Sequence, residues 1–231
     1  MVRPVLSRGV AVSALALLAS LSIALVAHAT CPSSDESVTL DELVARFERD
    51  GVHYAFVGER HGVGPVKRFA VDLANALVDR GADVGLYVEG FRTDCAPRDE
   101  TCGSLSHAFN RAAFLALLDN SRAPVHPLDP PGDDDRAAGM AALVADGPEA
   151  IKVVLIGRSH VIFAGRPDAV HPVFGGGMLY RDPGDVAEAF PRGETLTFNL
   201  DDRSAADDLY RLRTDGCAGD YLLSTKPTHQ Y

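Results

Sequence analysis

The sequence has 231 residues, 46% of them hydrophobic, and a formal net charge of −10. A chain of this size and composition can bury a single hydrophobic core, so we expect one ordinary domain. Its acidity argues against nucleic acids and anionic membrane surfaces as partners, because both carry charge of the same sign.

Residues 1–29 show the three regions of a secretory signal peptide. Arg3 and Arg8 precede an uncharged apolar run at residues 10–26, and "AHA" at residues 27–29 offers small side chains for cleavage. We therefore predict an exported protein, periplasmic or extracellular, with no membrane span after signal cleavage. A retained membrane anchor is the alternative, because the apolar run approaches the length of a short span.

Cleavage leaves four cysteines, an even number that suits disulfide bonding in an exported protein. Cys95 and Cys102 are close in sequence, so their local pairing is the first expectation, and Cys31 would then pair with Cys217. Other pairings remain open, since spacing does not fix connectivity. Cys31 also lies two residues past the cleavage site, and a lipid-anchored form through this cysteine is the alternative to free export.

Strands and helices are predicted to alternate along residues 30–231. Strands are indicated by short runs that are β-branched, aromatic or continuously apolar, at residues 52–59, 83–90, 123–130, 150–161 and 194–200. Helices are indicated by apolar periodicity and by capping residues, at residues 37–51, 64–81, 106–120 and 134–147. This alternation predicts a single α/β domain with three layers, a mostly parallel sheet with helices on both faces.

Polar side chains follow the predicted strands at the points where they end. The first strand ends in "YAFVGERH" with Glu59 and His61, and the second ends with Glu89. The fourth strand ends in "VVLIGRSH" with Arg158 and His160. Ligands of such folds bind at the carboxyl ends of the strands, so we expect these side chains to line one cleft.

Turn and capping roles are the alternative explanation for each of these residues. This alternative is strongest for Asp129, which follows the third strand and precedes Pro-Pro-Gly. His126 can be either a site residue or a core imidazole. The sequence has no G-x-S-x-G elbow, no H-E-x-x-H helix and no phosphate-binding glycine fingerprint, which argues against the enzyme classes that use them.

The stretches "FVGERHG", "LYVEGF" and "VLIGRSHVIFAGRP" resemble, in order and spacing, the motifs of the erythromycin esterase/ChaN/Tiki superfamily. The resemblance covers about residues 52–167, and the ChaN-like haem-binding uptake branch is the most similar in size and in export signals. It implies that Glu59, His61, Glu89 and His160 are site residues. The sequence departs from the family pattern in the cysteine-bearing loop after Glu89 and in the two arginines at variable motif positions.

A hydrolase acting on an ester or peptide bond is the main functional prediction. In it, Glu59 or His61 takes a proton from water while Arg158 or His160 stabilises the developing oxyanion. Two carboxylates and two imidazoles, with Glu89 as the second carboxylate, can equally hold a divalent transition metal that activates the water. The substrate would be a small molecule or a peptide.

Haem or iron binding without catalysis, in an uptake protein, is the alternative. His61, Tyr87 or His160 would then ligate the haem iron, and Arg60 or Arg158 would pair with a propionate. A catalytically inactive exported module that uses the cleft for partner recognition is a further alternative.

Overall fold

In the computed structural model, strands and helices alternate along the chain. The structure describes residues 37–59, 64–95, 111–131, 135–157, 160–161, 170–171, 178–179, 186–200, 211–214 and 221–224. The strands are β1 (Ser37–Val38), β2 (Tyr54–Glu59), β3 (Val84–Arg92), β4 (Val125–Asp129), β5 (Ile151–Gly157), β6 (Val170–His171), β7 (Met178–Leu179), β8 (Thr195–Leu200), β9 (Arg211–Thr214) and β10 (Tyr221–Ser224). The α-helices are α1 (Leu40–Asp50), α2 (Gly64–Asp79), α3 (Arg111–Leu118) and α4 (Arg136–Ala145).

Helix α1 begins and ends where its sequence provides caps. The Thr39 side chain accepts a hydrogen bond from the Glu42 amide, and Glu42 bonds back to the Thr39 backbone in a capping box. Gly51 ends the helix with a φ of 65°, a left-handed conformation that glycine adopts without a Cβ penalty. None of the helices in the described part of the chain is long and apolar enough to cross a membrane.

One sheet of the described strands organises the fold, in the order β1-β9-β10-β8-β2-β5-β3-β4. Pairing is parallel from β10 through to β4, and β9 runs antiparallel to both β10 and β1. Strands β6 and β7 form a separate antiparallel pair. The mostly parallel sheet predicted from the sequence is confirmed.

Both faces of this sheet are covered. Helices α1, α2 and α3 pack on one face and α4 packs on the other, each against its own apolar core. Along β2, Val57 belongs to the first core and Phe56 to the second, as the two-residue alternation of a strand requires. The three-layer α/β architecture is therefore confirmed.

Strands β2 and β5 lie side by side at the centre of the sheet, and the chain leaves them in opposite directions. After β2 it passes through α2, on the first face, to β3 on one side of the pair. After β5 it reaches β8 on the other side, and Phe190 of that connection packs in the core of the second face. The carboxyl ends of two such strands form a topological switch point, the position at which ligands of α/β sheets are expected to bind in a crevice.

Candidate functional site

The carboxyl ends of β2 and β5 are level with each other at the switch point. The parallel register pairs Glu59 with Gly157, so the "GERH" and "GRSH" motifs begin on adjacent strands at one edge of the sheet. His160 lies just beyond β5 and is half-buried. His61 and Arg158 lie outside the described residues, and their places in the site remain predictions.

Glu89, at the same edge, reaches from β3 to the end of β5. Its side chain is buried, and its Oε2 accepts a hydrogen bond from the Gly157 amide. A Cβ added at position 157 would lie 3.1 Å from Glu89 Oε2 and 3.6 Å from His160 Cδ2. The structure therefore brings Glu89 and His160 close to the same position, where glycine leaves space for both side chains.

A guanidinium joins Glu89 to a second buried carboxylate. Arg136, at the start of α4, donates from Nη2 to Glu89 Oε1 at 2.6 Å and also to Asp129 Oδ1. Asp129 Oδ2 accepts the Gly90 amide at 2.9 Å. Because an unpaired carboxylate is costly to bury, the arginine and the two amides are what make this acidic cluster stable.

The protonation equilibria of the cluster reflect this arrangement. Burial raises the pKa of Asp129, and the nearby charge of Glu89 adds to the rise, while hydrogen bonds from Arg136 and Gly90 offset part of it. Burial opposes the charge on Arg136, but its two carboxylate partners outweigh burial and raise its pKa. Arg136 therefore remains a cation. Of its two carboxylate partners, Asp129 has a pKa above its ordinary value.

Glu59 lies on the opposite face of the sheet from this cluster. It pairs with Lys67 of α2 at 2.7 Å, and the two side chains are only 2% and 4% exposed. Lys67 Nζ also lies 5.3 Å from the centre of the Phe114 ring. Burial lowers the pKa of Lys67, partly offset by Glu59. Glu59 and Glu89 thus share an edge of the sheet, but Glu59 faces α2 whereas Glu89 faces α4.

Tyr87 belongs to a different cluster, at the amino ends of the strands. Its hydroxyl donates to Oε2 of Glu149, a residue just before β5, at 2.7 Å. Burial, together with this carboxylate, raises the pKa of Tyr87. His126 Nε2 lies 2.7 Å from Glu149 Oε1, and the His126 ring stacks on Tyr87 with centroids 4.7 Å apart. The Tyr87 hydroxyl therefore points away from Glu89 and His160.

The described residues contain no group of three or more His, Cys, Asp or Glu side chains that could hold a metal ion. Of the four residues predicted as metal ligands, His61 lies outside the described part of the chain. Glu59 faces α2, and only Glu89 and His160 come together. A metal centre at this edge remains a prediction that depends on His61. Of the four cysteines, the described residues include Cys95 alone, so the disulfide pairings also remain predictions.

Arg136 and Lys67 take part in the candidate site but were missed in the sequence. Lys67 had a signal, because it falls on the apolar face of its helix at the helical spacing from Ala70 and Ala74. Arg136 had none, since it follows three aspartates in what reads as a solvated loop. The turn role is the strongest alternative for Asp129 in the sequence, whereas in the structure its carboxylate is buried and accepts a hydrogen bond from the Gly90 amide.

Comparison with known proteins finds similarity in structure alone. No family profile and no curated protein matches the sequence. A solved structure of ChaN from Campylobacter jejuni with cofacial haem bound matches with a TM-score of 0.51 and 10% identity, covering 83% of this chain and 94% of that one. The chain has a ChaN-like fold.

A second solved structure, of RRSP, a MARTX toxin effector domain from Vibrio vulnificus CMCP6, matches with a TM-score of 0.44 and 18% identity. That match covers 82% of this chain but 38% of the toxin domain. At such identities the likeness to ChaN concerns the backbone arrangement, so the ChaN-like fold is established and the site chemistry must be argued from the residues.

Proposed function

We propose that this ChaN-like protein binds haem at the carboxyl edge of its sheet. The observation that carries the proposal is the position of His160, a half-buried imidazole beside the switch point formed by β2 and β5. Part of the His160 side chain is accessible to a ligand, whereas the carboxylates of Glu89 and Asp129 are buried. The haem carried by ChaN of Campylobacter jejuni supports this choice of ligand.

The donor chemistry of the site fits haem. The porphyrin nitrogens surround the iron in the plane of the ring, so the protein has to supply only axial ligands, and histidine is a common one. His160 can serve in this role without a larger set of protein ligands. His61 is the predicted second axial candidate, and Arg60 and Arg158 are the predicted partners of the propionates.

Glu89 and Tyr87 are better explained as supporting residues than as ligands. Both carboxylate oxygens of Glu89 are engaged, one by Arg136 and the other by the Gly157 amide. The Tyr87 hydroxyl is bonded to Glu149 at the other edge of the sheet. The proposal therefore assigns iron ligation to the histidines and withdraws it from Tyr87.

Titration of the purified protein with hemin, followed by the Soret band, tests the proposal. We expect the wild type to shift the Soret band, and His160→Ala to weaken hemin binding at least about tenfold. That factor is reasonable because even indirect partners of a bound metal are worth ~10–100-fold in affinity. His53→Ala is the matched control, since His53 lies at the amino end of β2, with its Nδ1 3.1 Å from the Ala150 carbonyl oxygen.

A wild-type spectrum that hemin does not change would overturn the proposal. So would equal binding by wild type and a double variant in which His61 and His160 are both alanine. The uptake role depends in addition on export through residues 1–29, which cell fractionation and the mass of the exported protein would test.

Hydrolysis of an ester or peptide bond is the second candidate. It is favoured by the imidazole of His160 beside a buried acid pair, an arrangement that can move protons during catalysis. The test is a panel of ester and peptide substrates, with and without a chelator, on wild type and His160→Ala. Activity that depends on His160 would favour hydrolysis, and its loss on chelation would indicate a metal. If no substrate in the panel is cleaved and hemin binds, the results support haem binding and not hydrolysis.

A further inference from the structure

The geometry points to Arg136 as a positioning residue that fixes the end of β5, and with it the segment that carries His160. Arg136 acts on this segment through other residues. Arg136 bonds Glu89, Glu89 bonds the Gly157 amide, and His160 follows three residues later. Calling this a site residue rests on the proposed function, but the chain of contacts can be tested without any ligand.

The first step is that the Glu89 side chain accepts a backbone amide of β5 beyond the point where the β3–β5 pairing ends. The parallel pairing of β3 with β5 runs as far as Val88 opposite Leu155. Two residues later the Gly157 amide is bonded by the Glu89 carboxylate. A backbone amide at a strand end needs an acceptor, and here a side chain supplies it. The position of Gly157 therefore depends on where the Glu89 carboxylate is held.

The second step is that a side-chain carboxylate also accepts a backbone amide on the other side of β3, where β3 pairs with β4. The pairing of β3 with β4 is irregular between Val88 and Arg92, and Gly90 has a φ of 99° there. The Gly90 amide, which lies in this irregular stretch, is bonded by Asp129 at 2.9 Å. Glu89 thus binds the backbone where the pairing of β3 with β5 ends, and Asp129 binds it where the pairing of β3 with β4 is irregular.

The third step is that one guanidinium holds both carboxylates. Arg136 Nη2 donates to Glu89 and to Asp129, which are both buried, while the Arg136 side chain is 37% exposed. A buried carboxylate that loses its cation is strongly disfavoured. Arg136 is therefore the point from which both breaks in the ladders of β3 are supported.

Amide hydrogen exchange at Gly157 and Gly90 tests the inference in the protein without hemin. We expect Arg136→Met to speed exchange at both amides at least about tenfold, the factor expected when one hydrogen bond to a charged group is lost. Glu89→Gln should speed exchange at Gly157, because glutamine has one acceptor oxygen where glutamate has two, and the other position presents an NH2 donor. Asp129→Asn should affect Gly90 and leave Gly157 protected. Arg136→Lys, which keeps the charge, should retain most of the protection.

Two comparisons separate this role from a loss of general stability. Arg122→Met is the matched control, because it removes a guanidinium from the exposed pair with Asp79 and should leave Gly157 and Gly90 unchanged. The inference is overturned if Arg136→Met speeds exchange across the whole core by the same factor, or if it leaves Gly157 protected. Should Arg136→Met fail to fold, the milder Arg136→Gln, which keeps a hydrogen-bond donor but removes the charge, decides the question at the same two amides.

Hemin titration of the same variants tests the link to the site. We expect Arg136→Met to weaken hemin binding and alter the Soret band, and Arg136→Lys to restore both towards wild type. If the wild type binds no hemin, the proposed function fails while the exchange data still decide the role of Arg136. If hemin binds the wild type and Arg136→Met equally, the link between Arg136 and the site is overturned and the proposed function stands.

Discussion

Glu59 and Gly157 face each other in register on the neighbouring parallel strands β2 and β5. The pairing places side by side the ends of the two apolar strands that carry the glycines of the "GERH" and "GRSH" motifs. The two strands end at adjacent positions, at the switch point where a crevice is expected. The two motifs therefore belong to one region of the molecule, although Glu59 itself faces α2.

Replacing Gly157 by alanine should disturb the candidate site directly. The added Cβ would lie 3.1 Å from Glu89 Oε2, closer than most such contacts, in a place where the carboxylate is held by Arg136. We expect a loss of about 1–3 kcal/mol in the free energy of unfolding, as for other overpacked positions. Urea unfolding measures this loss. Gly193→Ala is the control, because its Cβ would meet nothing within 4 Å, and an equal loss in both variants would contradict the prediction.

The alternation of strands and helices could be predicted because it depends on local patterns. The capping residues of α1 and the continuous apolar run of β5 are visible in the sequence. The strand order is not local, since β5 inserts between β2 and β3 only when the whole sheet is assembled. The antiparallel pairing of β9 with β1 and β10 is not local either, and β1 and β9 are short strands that carry little pattern of their own.

The candidate site could be predicted as an edge of the sheet but not as a set of contacts. Glu89 and His160 followed from their positions after strands. The face on which Glu59 lies could not be inferred, because β2 is apolar on both faces and gives no alternation to read. The partners of Glu59 and Glu89 come from helices on opposite sides of the sheet, and such contacts have no signature in the order of residues.

Replacing Tyr87 by phenylalanine should cost stability but leave hemin binding intact. The change removes the donor that satisfies Glu149 Oε2, a buried oxygen, and we expect a loss of about 1–3 kcal/mol. The Soret band should match that of wild type, since the hydroxyl lies at the edge opposite His160. An altered spectrum in the phenylalanine variant would restore Tyr87 as a candidate iron ligand.

Replacing Lys67 by methionine should be among the most damaging single changes at this edge of the sheet. It removes the ammonium that pairs with Glu59 at 2.7 Å while the carboxylate stays buried. Breaking a buried ion pair from one side typically costs ~3–5 kcal/mol.

The double variant Lys67→Met with Glu59→Gln should recover much of this loss, because it leaves no buried charge behind. Arg122→Met, which opens the exposed pair with Asp79, should cost no more than about 1 kcal/mol. Denaturant unfolding of the four proteins measures these differences. A loss in Lys67→Met as small as that in Arg122→Met would show that the buried pair does not matter.

On acidification, the contributions of Glu149 and Asp129 to the free energy of unfolding should change in opposite directions, because the pKa of Glu149 is lowered and that of Asp129 is raised. Burial acts to raise the pKa of Glu149, but hydrogen bonds from Tyr87, its own backbone and His126 outweigh burial and hold the pKa below its ordinary value of 4.5. The stability that Glu149 contributes is therefore complete above that value and is lost as the pH falls through the lowered pKa. The difference in unfolding free energy between wild type and Glu149→Gln should be constant near neutrality and shrink below pH 4.5.

Asp129 has a pKa that burial raises, so its contribution to stability is fully present below its ordinary value of 3.8 and is lost as the pH rises through the raised pKa. The advantage of wild type over Asp129→Asn should consequently grow as the pH falls towards 3.8 and then stay constant, whereas that of wild type over Glu149→Gln shrinks below pH 4.5. Urea unfolding of the three proteins at a series of pH values gives both differences. Two curves that bend in the same direction would contradict the assignment, because the sign of each depends only on whether the folded state holds the proton more or less tightly than the unfolded state.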